Sequence, residues 1–277
     1  MAKKALCIGI NNYPGTDMDL QGCVNDATDW AGVLAERGFK VASLLDEQAT
    51  KAAMLKAMGE LIAKASKGDA LLITFSGHGT YQPDTDGDEV DGLDEALCPY
   101  DLQTNGEALT DDEIRNLFLT RKAGVRIVLI SDSCHSGTVT RAAKAEKDAD
   151  SRPRFMPMGN WLPDKLLPRN RAGKVATTMT GPAGTTPFFG AYSNKLGDLL
   201  LSGCKEGPNN FSYDARIKGR FNGAFTYYAL KALKSMKPGA NYADWHKAIA
   251  KYLPSASYPQ SPQIVGSATA RKGKIFE

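Results

Sequence analysis

The stretch Val125–Gly137, VRIVLISDSCHSG, constrains the fold of this chain more than any other. Its apolar run, broken only by Arg126, reads as a buried strand. The run gives way abruptly to small and polar residues and then to Cys134. A buried strand with such an end belongs to an open parallel α/β sheet, whose strands end at a crevice that binds ligands. Ala70–Gly79, ALLITFSGHG, has the same grammar and ends in His78. A Cys and a His at the ends of two such strands can form a nucleophile–base pair.

The chain in order supports that sheet. Lys4–Ile10 reads as a first strand, followed by the turn-rich NNYPGTD. Val24, Ala27, Ala31, Leu34 and Ala35 share one helical face, and the helix stops at Gly38. Lys40–Leu45 is a second strand. Thr50 is placed to cap a helix that buries Met54, Met58, Leu61, Ile62 and Ala65, and the strand leading to His78 follows. This alternation argues for a doubly wound, mostly parallel sheet. Residues 80–109 break the rhythm; they are acidic and Gly-rich, and read as a hairpin or loop excursion. Thr110 and Glu113 have capping-box spacing and open a helix through Leu119. Residues 138–186 hold no sustained apolar period but many basic residues, among them Arg141, Lys144, Lys147, Arg152, Arg154, Arg169, Arg171 and Lys174. Such a long loop is either functional or disordered. Order is expected again from Phe188, with a strand at Leu199–Cys204, helices capped by Asn222 and Asn241, and a last strand near Gln263–Val265.

Composition narrows the function. The chain has 277 residues, enough for one large α/β domain, and no internal repeat. A net charge of +3 with dispersed basic residues argues against nucleic acid. No stretch is long and apolar enough to be a signal core or a membrane span, so a soluble, cytoplasmic protein is expected. The five cysteines, 7, 23, 98, 134 and 204, are odd in number and none is spaced CxxC, which speaks against a disulfide framework or zinc ribbon. Cys7, Cys98 and Cys204 read as small core residues. His135 points away from its neighbour Cys134 and receives no role, and His246 reads as a surface residue.

If the first, third and fourth strands lie side by side, Asn25 and Asp26, His78 and Cys134 meet at one edge. A thiolate attacks an acyl carbon, and an imidazole can take up its proton and return one to the leaving amine. The backbone N–H groups of Gly79 and Cys134 are placed to hold an oxyanion. Taken singly, Cys134 reads more readily as an inert buried thiol and His78 as a loop histidine. Their matching strand-end contexts bring the catalytic reading level with that one.

SGHG and DSCHSG, together with GINNYP, GCVNDA, LSGC and GAFT in that order, resemble the metacaspase and orthocaspase branch of caspase-like cysteine peptidases, in its prodomain-less, prokaryotic form. The resemblance runs from Lys4 to the C-terminus and is weakest over 138–186. It implies a caspase-like three-layer sandwich, a mostly parallel sheet with helices on both faces. It also implies one peptidase domain over 1–277. Residues 1–137 form the large-subunit-like part, 138–186 a basic linker and 187–277 the small-subunit-like part. Cys134 is then the nucleophile and His78 its partner, and Cys23, Asp26, Ser76 and Asp132 line the S1 pocket. Two carboxylates there favour Arg or Lys at P1 of a protein or peptide substrate and repel Asp. A peptidase with that preference could cut its own exposed linker. The family resemblance also points to a monomer. The alternatives are a catalytically silent caspase-like binding module and a flavodoxin-like nucleotide binder, though no GxGxxG or Walker lysine is present.

The chemistry requires no cofactor, but the resemblance raises calcium as an activator, held by Asp94 or Glu95 with Asp111 and Asp112. Residues 84–95, DTDGDEVDGLDE, place Asp84, Asp86, Asp88 and Glu95 at EF-hand positions, but Glu89 stands where the loop needs Gly and no helix leads in. A further family carboxylate would fall near Arg141, where this chain is basic. Asp111 and Asp112 also suit the first turn of a helix without any metal.

Overall fold

A computed structural model of the chain describes residues 1–84, 93–134, 150–167, 198–205 and 210–277. Its centre is a six-stranded sheet in the order β12-β9-β7-β3-β1-β2. The strands are β1 (Lys3–Gly9), β2 (Lys40–Leu45), β3 (Ala70–Ser76), β7 (Arg126–Asp132), β9 (Leu199–Ser202) and β12 (Gln263–Gly266). All neighbours pair in parallel except β12, which runs antiparallel to β9. Alternation along β1 serves both faces. Leu6 and Ile8 enter one core with Ile62 of helix α2 (Lys51–Ala63) and Phe118 of helix α4 (Asp111–Leu119). Ala5 and Cys7 enter the other with Trp30 of α1 (Cys23–Glu36), Phe225 of α5 (Ala224–Lys234) and Trp245 of α6 (Tyr242–Ile249). The result is a three-layer α/β sandwich.

Register decides what meets at the carboxyl edge. Gly9 of β1 pairs with Ser76 of β3, and Ser76 pairs with Asp132 of β7. His78 and Cys134 each lie two residues past that shared line. Two small sheets flank the edge. One holds β4 (Gly79–Pro83), β5 (Leu93–Leu97) and β6 (Leu109–Thr110); the other holds β8 (Ser151–Pro153), β10 (Tyr213–Ile217) and β11 (Arg220–Gly223). The described residues also hold two short α-helices, α3 (Leu102–Asn105) and α7 (Ala268–Arg271).

Of the hairpin or loop expected over 80–109 the structure shows the hairpin, with a third strand and a short helix added, and it buries Tyr81, Leu93, Ala96 and Leu97. Other expectations need correction. The buried face of α1 is Cys23, Asp26, Ala27, Trp30 and Leu34, rotated from the purely apolar face by the turn of Cys23 and Asp26 toward the crevice. Asn222 does not cap α5. It lies within β11, and Gly223, the last residue of that strand, is the cap residue, because Asn222 is held in the strand pairing with Ala215. His246 is half-buried, with Nε2 hydrogen-bonded to the Pro262 carbonyl. The largest correction concerns the linker. Arg154, Phe155 and Met156 are fully buried, and Met158 and Trp161 nearly so. The restart at Phe188, His135 and the basic residues Arg141, Lys144, Lys147, Arg169, Arg171 and Lys174 lie outside the described residues.

Candidate active site

His78 follows β3 and is fixed from two sides. Its N–H donates to Tyr13 Oη at 2.8 Å, and its ring lies 4.8 Å from the Tyr13 ring. Nε2 lies 2.6 Å from the Met18 carbonyl. A carbonyl only accepts, so Nε2 carries the proton and Nδ1 keeps its lone pair. Burial, helped by the cations of Arg154 and Arg152, lowers the His78 pKa to about 3. Neighbouring Gly77 has no alternative residue, since a Cβ there would sit 2.7 Å from Tyr13 Oη.

Cys134 is fully buried beyond β7, and its Sγ donates to the Asn210 carbonyl at 3.1 Å. Cys204 lies in hydrogen-bond contact with it, and that contact and burial push the Cys204 thiol well above its usual pKa. Cys204 therefore borders Cys134 as well as filling core.

Between these two residues runs the chain's own linker. The Arg154 carbonyl accepts the N–H of Gly79 at 3.0 Å and of Cys134 at 3.1 Å, the two donors expected at an oxyanion. The Arg154 N–H donates to the Ser212 carbonyl at 2.8 Å, extending the antiparallel pairing of β8 with β10. Beyond it, the Met156 N–H donates to the Gly79 carbonyl at 2.8 Å.

The Arg154 side chain fills a carboxylate-lined pocket. Its Nη2 lies 2.7 Å from Asp26 Oδ2 and 2.9 Å from Asp214 Oδ1. Its Nη1 donates to the Asp132 carbonyl at 3.1 Å and lies 3.4 Å from Asp132 Oδ2. Three acids thus face one guanidinium. Burial and the nearby Asp132 charge raise the Asp26 pKa to about 7, against the pull of Arg154. The acids are held from behind. Asp26 accepts the Gly223 N–H and Asn222 Nδ2; Asp132 accepts the Thr226 N–H at 2.8 Å and the Ser212 hydroxyl. Cys23 is buried close to the guanidinium, with burial pushing its thiol pKa well up, and Ser76 is buried at the same edge in register with Asp132.

The four S1 residues read from the sequence therefore gather at one place, but the list missed Asp214. Nothing around SYDARIKG signals a site. Asp214 reaches the pocket through the β10 pairing, where it also accepts the N–H groups of Gln21 and Gly22. Also missed was the role of Asn11, whose Oδ1 accepts the Cys23 N–H at 2.8 Å and so caps the start of α1. Among the described residues, no three His, Cys, Asp or Glu side chains converge to hold a metal. Asp112 pairs with Arg115 at 2.8 Å, while Asp94 and Glu95 are consecutive on β5 and so face opposite ways. Asp86, Asp88 and Glu89 lie outside the described residues.

This fold and site define a caspase-like cysteine peptidase, and comparison with known proteins agrees. Residues 3–143 match the family described as metacaspase, peptidase C14 domain. The chain is 43% identical to metacaspase-1B of Neosartorya fischeri, over 95% of this chain and 68% of that protein. A crystal structure of a Geobacter sulfurreducens protein superposes with a TM-score of 0.71 at 32% identity, covering 99% of this chain and 98% of the other. Caspase-1 of Spodoptera frugiperda, at 13% identity and a TM-score of 0.53 over 96% of this chain and 86% of its own, shares the fold. The chain belongs to the metacaspase family. It spans about two thirds of the length of its curated relatives, 67%, 63% and 65% for three of them.

Proposed function

We propose that the chain is an endopeptidase that cleaves after Arg or Lys through Cys134 and His78, and that it cuts its own Arg154–Phe155 bond. The observation that carries this reading is the lodging of Arg154, with its carbonyl on two backbone donors beside Cys134 and its guanidinium among three carboxylates. A peptide held so is pre-oriented for attack, and orientation supplies much of the rate of an acyl transfer. The thiol attacks the Arg154 carbon and yields its proton to His78 Nδ1. The Gly79 and Cys134 N–H groups hold the negative charge on oxygen. His78 then returns the proton to the Phe155 nitrogen, the C–N bond breaks, and water resolves the thioester. Protein or peptide substrates with a P1 cation follow the same course. The long fork of Arg reaches acids on both sides of the pocket, which favours Arg over the single ammonium of Lys. No step is assigned to calcium, whose effect on turnover a chelator titration would measure. A monomer and a cytoplasmic site remain part of the proposal.

The test is purification of the wild-type chain beside Cys134→Ala, with mass analysis of new termini. A fragment beginning at Phe155, absent from Cys134→Ala, is expected. Cuts elsewhere, or the same cut in both chains, would overturn the self-processing reading. Matched peptides ending in Arg, Lys or Asp test the pocket, and turnover of the Asp peptide alone would overturn the S1 assignment.

A further inference from the structure

Both sides of the Arg154–Phe155 bond are anchored, and by different parts of the molecule. On the amino side, Ser151–Pro153 pair with Tyr213–Ala215, and the Arg154 guanidinium is held by Asp26 and Asp214. On the carboxyl side, the Phe155 ring stacks on Tyr81 at 5.6 Å and is tilted against Phe211 at 6.4 Å. The Met156 carbonyl accepts Thr80 Oγ1 at 2.8 Å, and Thr80 Oγ1 accepts Trp161 Nε1 at 3.1 Å. Phe155 and Met156 are fully buried, and Met156 belongs to the main core. None of these contacts is made by the peptide bond that would be cut. In most substrates the released amine diffuses away; here the contacts of Phe155 and Met156 would hold it beside Cys134.

We propose that this site also joins what it cuts: the Arg154 thioester on Cys134 is captured by the retained amine of Phe155, so that self-cleavage is reversible and the site acts as a peptide ligase toward that terminus. The inference rests on the reading of Arg154–Phe155 as the bond attacked by Cys134. The step balances without a co-reactant. The neutral Phe155 nitrogen attacks the thioester carbon, the C–N bond forms and the C–S bond breaks. One amine proton passes to His78 Nδ1 and on to the departing Cys134 thiolate. Water competes for the same carbon, but a nucleophile fixed in place has an effective molarity of about 10⁵ M or more, far above that of water. The amine, once deprotonated, therefore wins unless its anchors let go.

The experiment follows the cut and uncut fractions of the full-length wild-type chain by intact mass. Processing is expected to reach a plateau with more than about a tenth of the chains uncut, because Cys134 can re-form the thioester from the retained Arg154 carboxyl with loss of water and the tethered amine then captures it. Transfer into concentrated glycerol, which lowers water activity, should raise the uncut fraction, and dilution back should lower it again. Alkylating Cys134 after the plateau should freeze the ratio in both directions. Processing that runs to completion, or a ratio that glycerol leaves unchanged, would overturn the ligation while leaving the peptidase intact. If no Phe155 terminus forms at all, the self-processing reading fails and the ligation with it.

Discussion

His78 shows how one side chain is set by its surroundings. In the unfolded chain its pKa is near 6.5, and in the fold burial holds it at about 3. Between those values the unfolded chain binds the extra proton. The stability tied to neutral His78 is therefore whole above about pH 6.5 and is lost progressively as pH falls toward 3. Asp26 works the other way. Its pKa is raised to about 7, so its contribution is present below 3.8 and is lost as pH rises through 7. In uncut Cys134→Ala chain, the ring nitrogens of His78 should show no titration between pH 8 and 5, with the proton on Nε2; a midpoint inside that range would contradict the buried neutral tautomer. Gly223 is a second decisive residue. A Cβ there would lie 2.1 Å from Asp132 Oδ2 and 2.5 Å from Arg154 Nη1. Gly223→Ala should slow self-processing by about 100-fold, the scale of a 1 Å misplacement. An unchanged processing rate would show that the pocket yields more than its packing implies.

At the level of elements, position and capping matter more than composition. Helix α4 begins with a complete capping box, Thr110 accepting the Glu113 N–H at 3.2 Å and Glu113 accepting the Thr110 N–H at 3.0 Å. Thr110→Ala should cost about 1 kcal/mol in urea unfolding and leave processing unchanged, since the cap lies away from Cys134. The strand β8 is the opposite case. SRP has no apolar alternation, and only its pairing with β10 makes it a strand. Arg154, just after it, is buried against acids distant in sequence, which is why this basic, Pro-containing stretch read as exposed linker. Removing one partner from such a buried charge cluster typically costs about 3–5 kcal/mol.

Across the whole molecule, the bond after Arg154 divides two sheets, the central one and the small one in which β8 pairs with β10. The parallel pairing of β7 with β9 joins the two sides of the cut, as does the buried ion pair of Arg121 with Asp198, 2.5 Å apart. The cut chain should elute from a sizing column at the volume of the uncut chain and separate only in denaturant. Two smaller species under native conditions would show that the sheet does not hold across the cut.

Much of this was legible in the chain of letters. Apolar runs ending in Ser-Gly-His and Asp-Ser-Cys mark buried strands with chemistry at their ends, and period and caps located α2, α4 and α6 closely. These are local signals, carried by neighbours within a few residues. The S1 residues Cys23, Asp26, Ser76 and Asp132 were reached through family motifs, and the fold gathers them through the register of β1, β3 and β7. Only the tertiary structure could add Asp214, turn α1 so that Asp26 faces inward, and bury Arg154. Each of those depends on contacts between residues far apart in sequence, such as Arg154 with Asp26, 128 residues away. No local pattern encodes such a contact. The sequence pointed to the residues proposed to carry the chemistry, and the packing of distant strands decided that an arginine of the chain itself, Arg154, lies among the acids beside them.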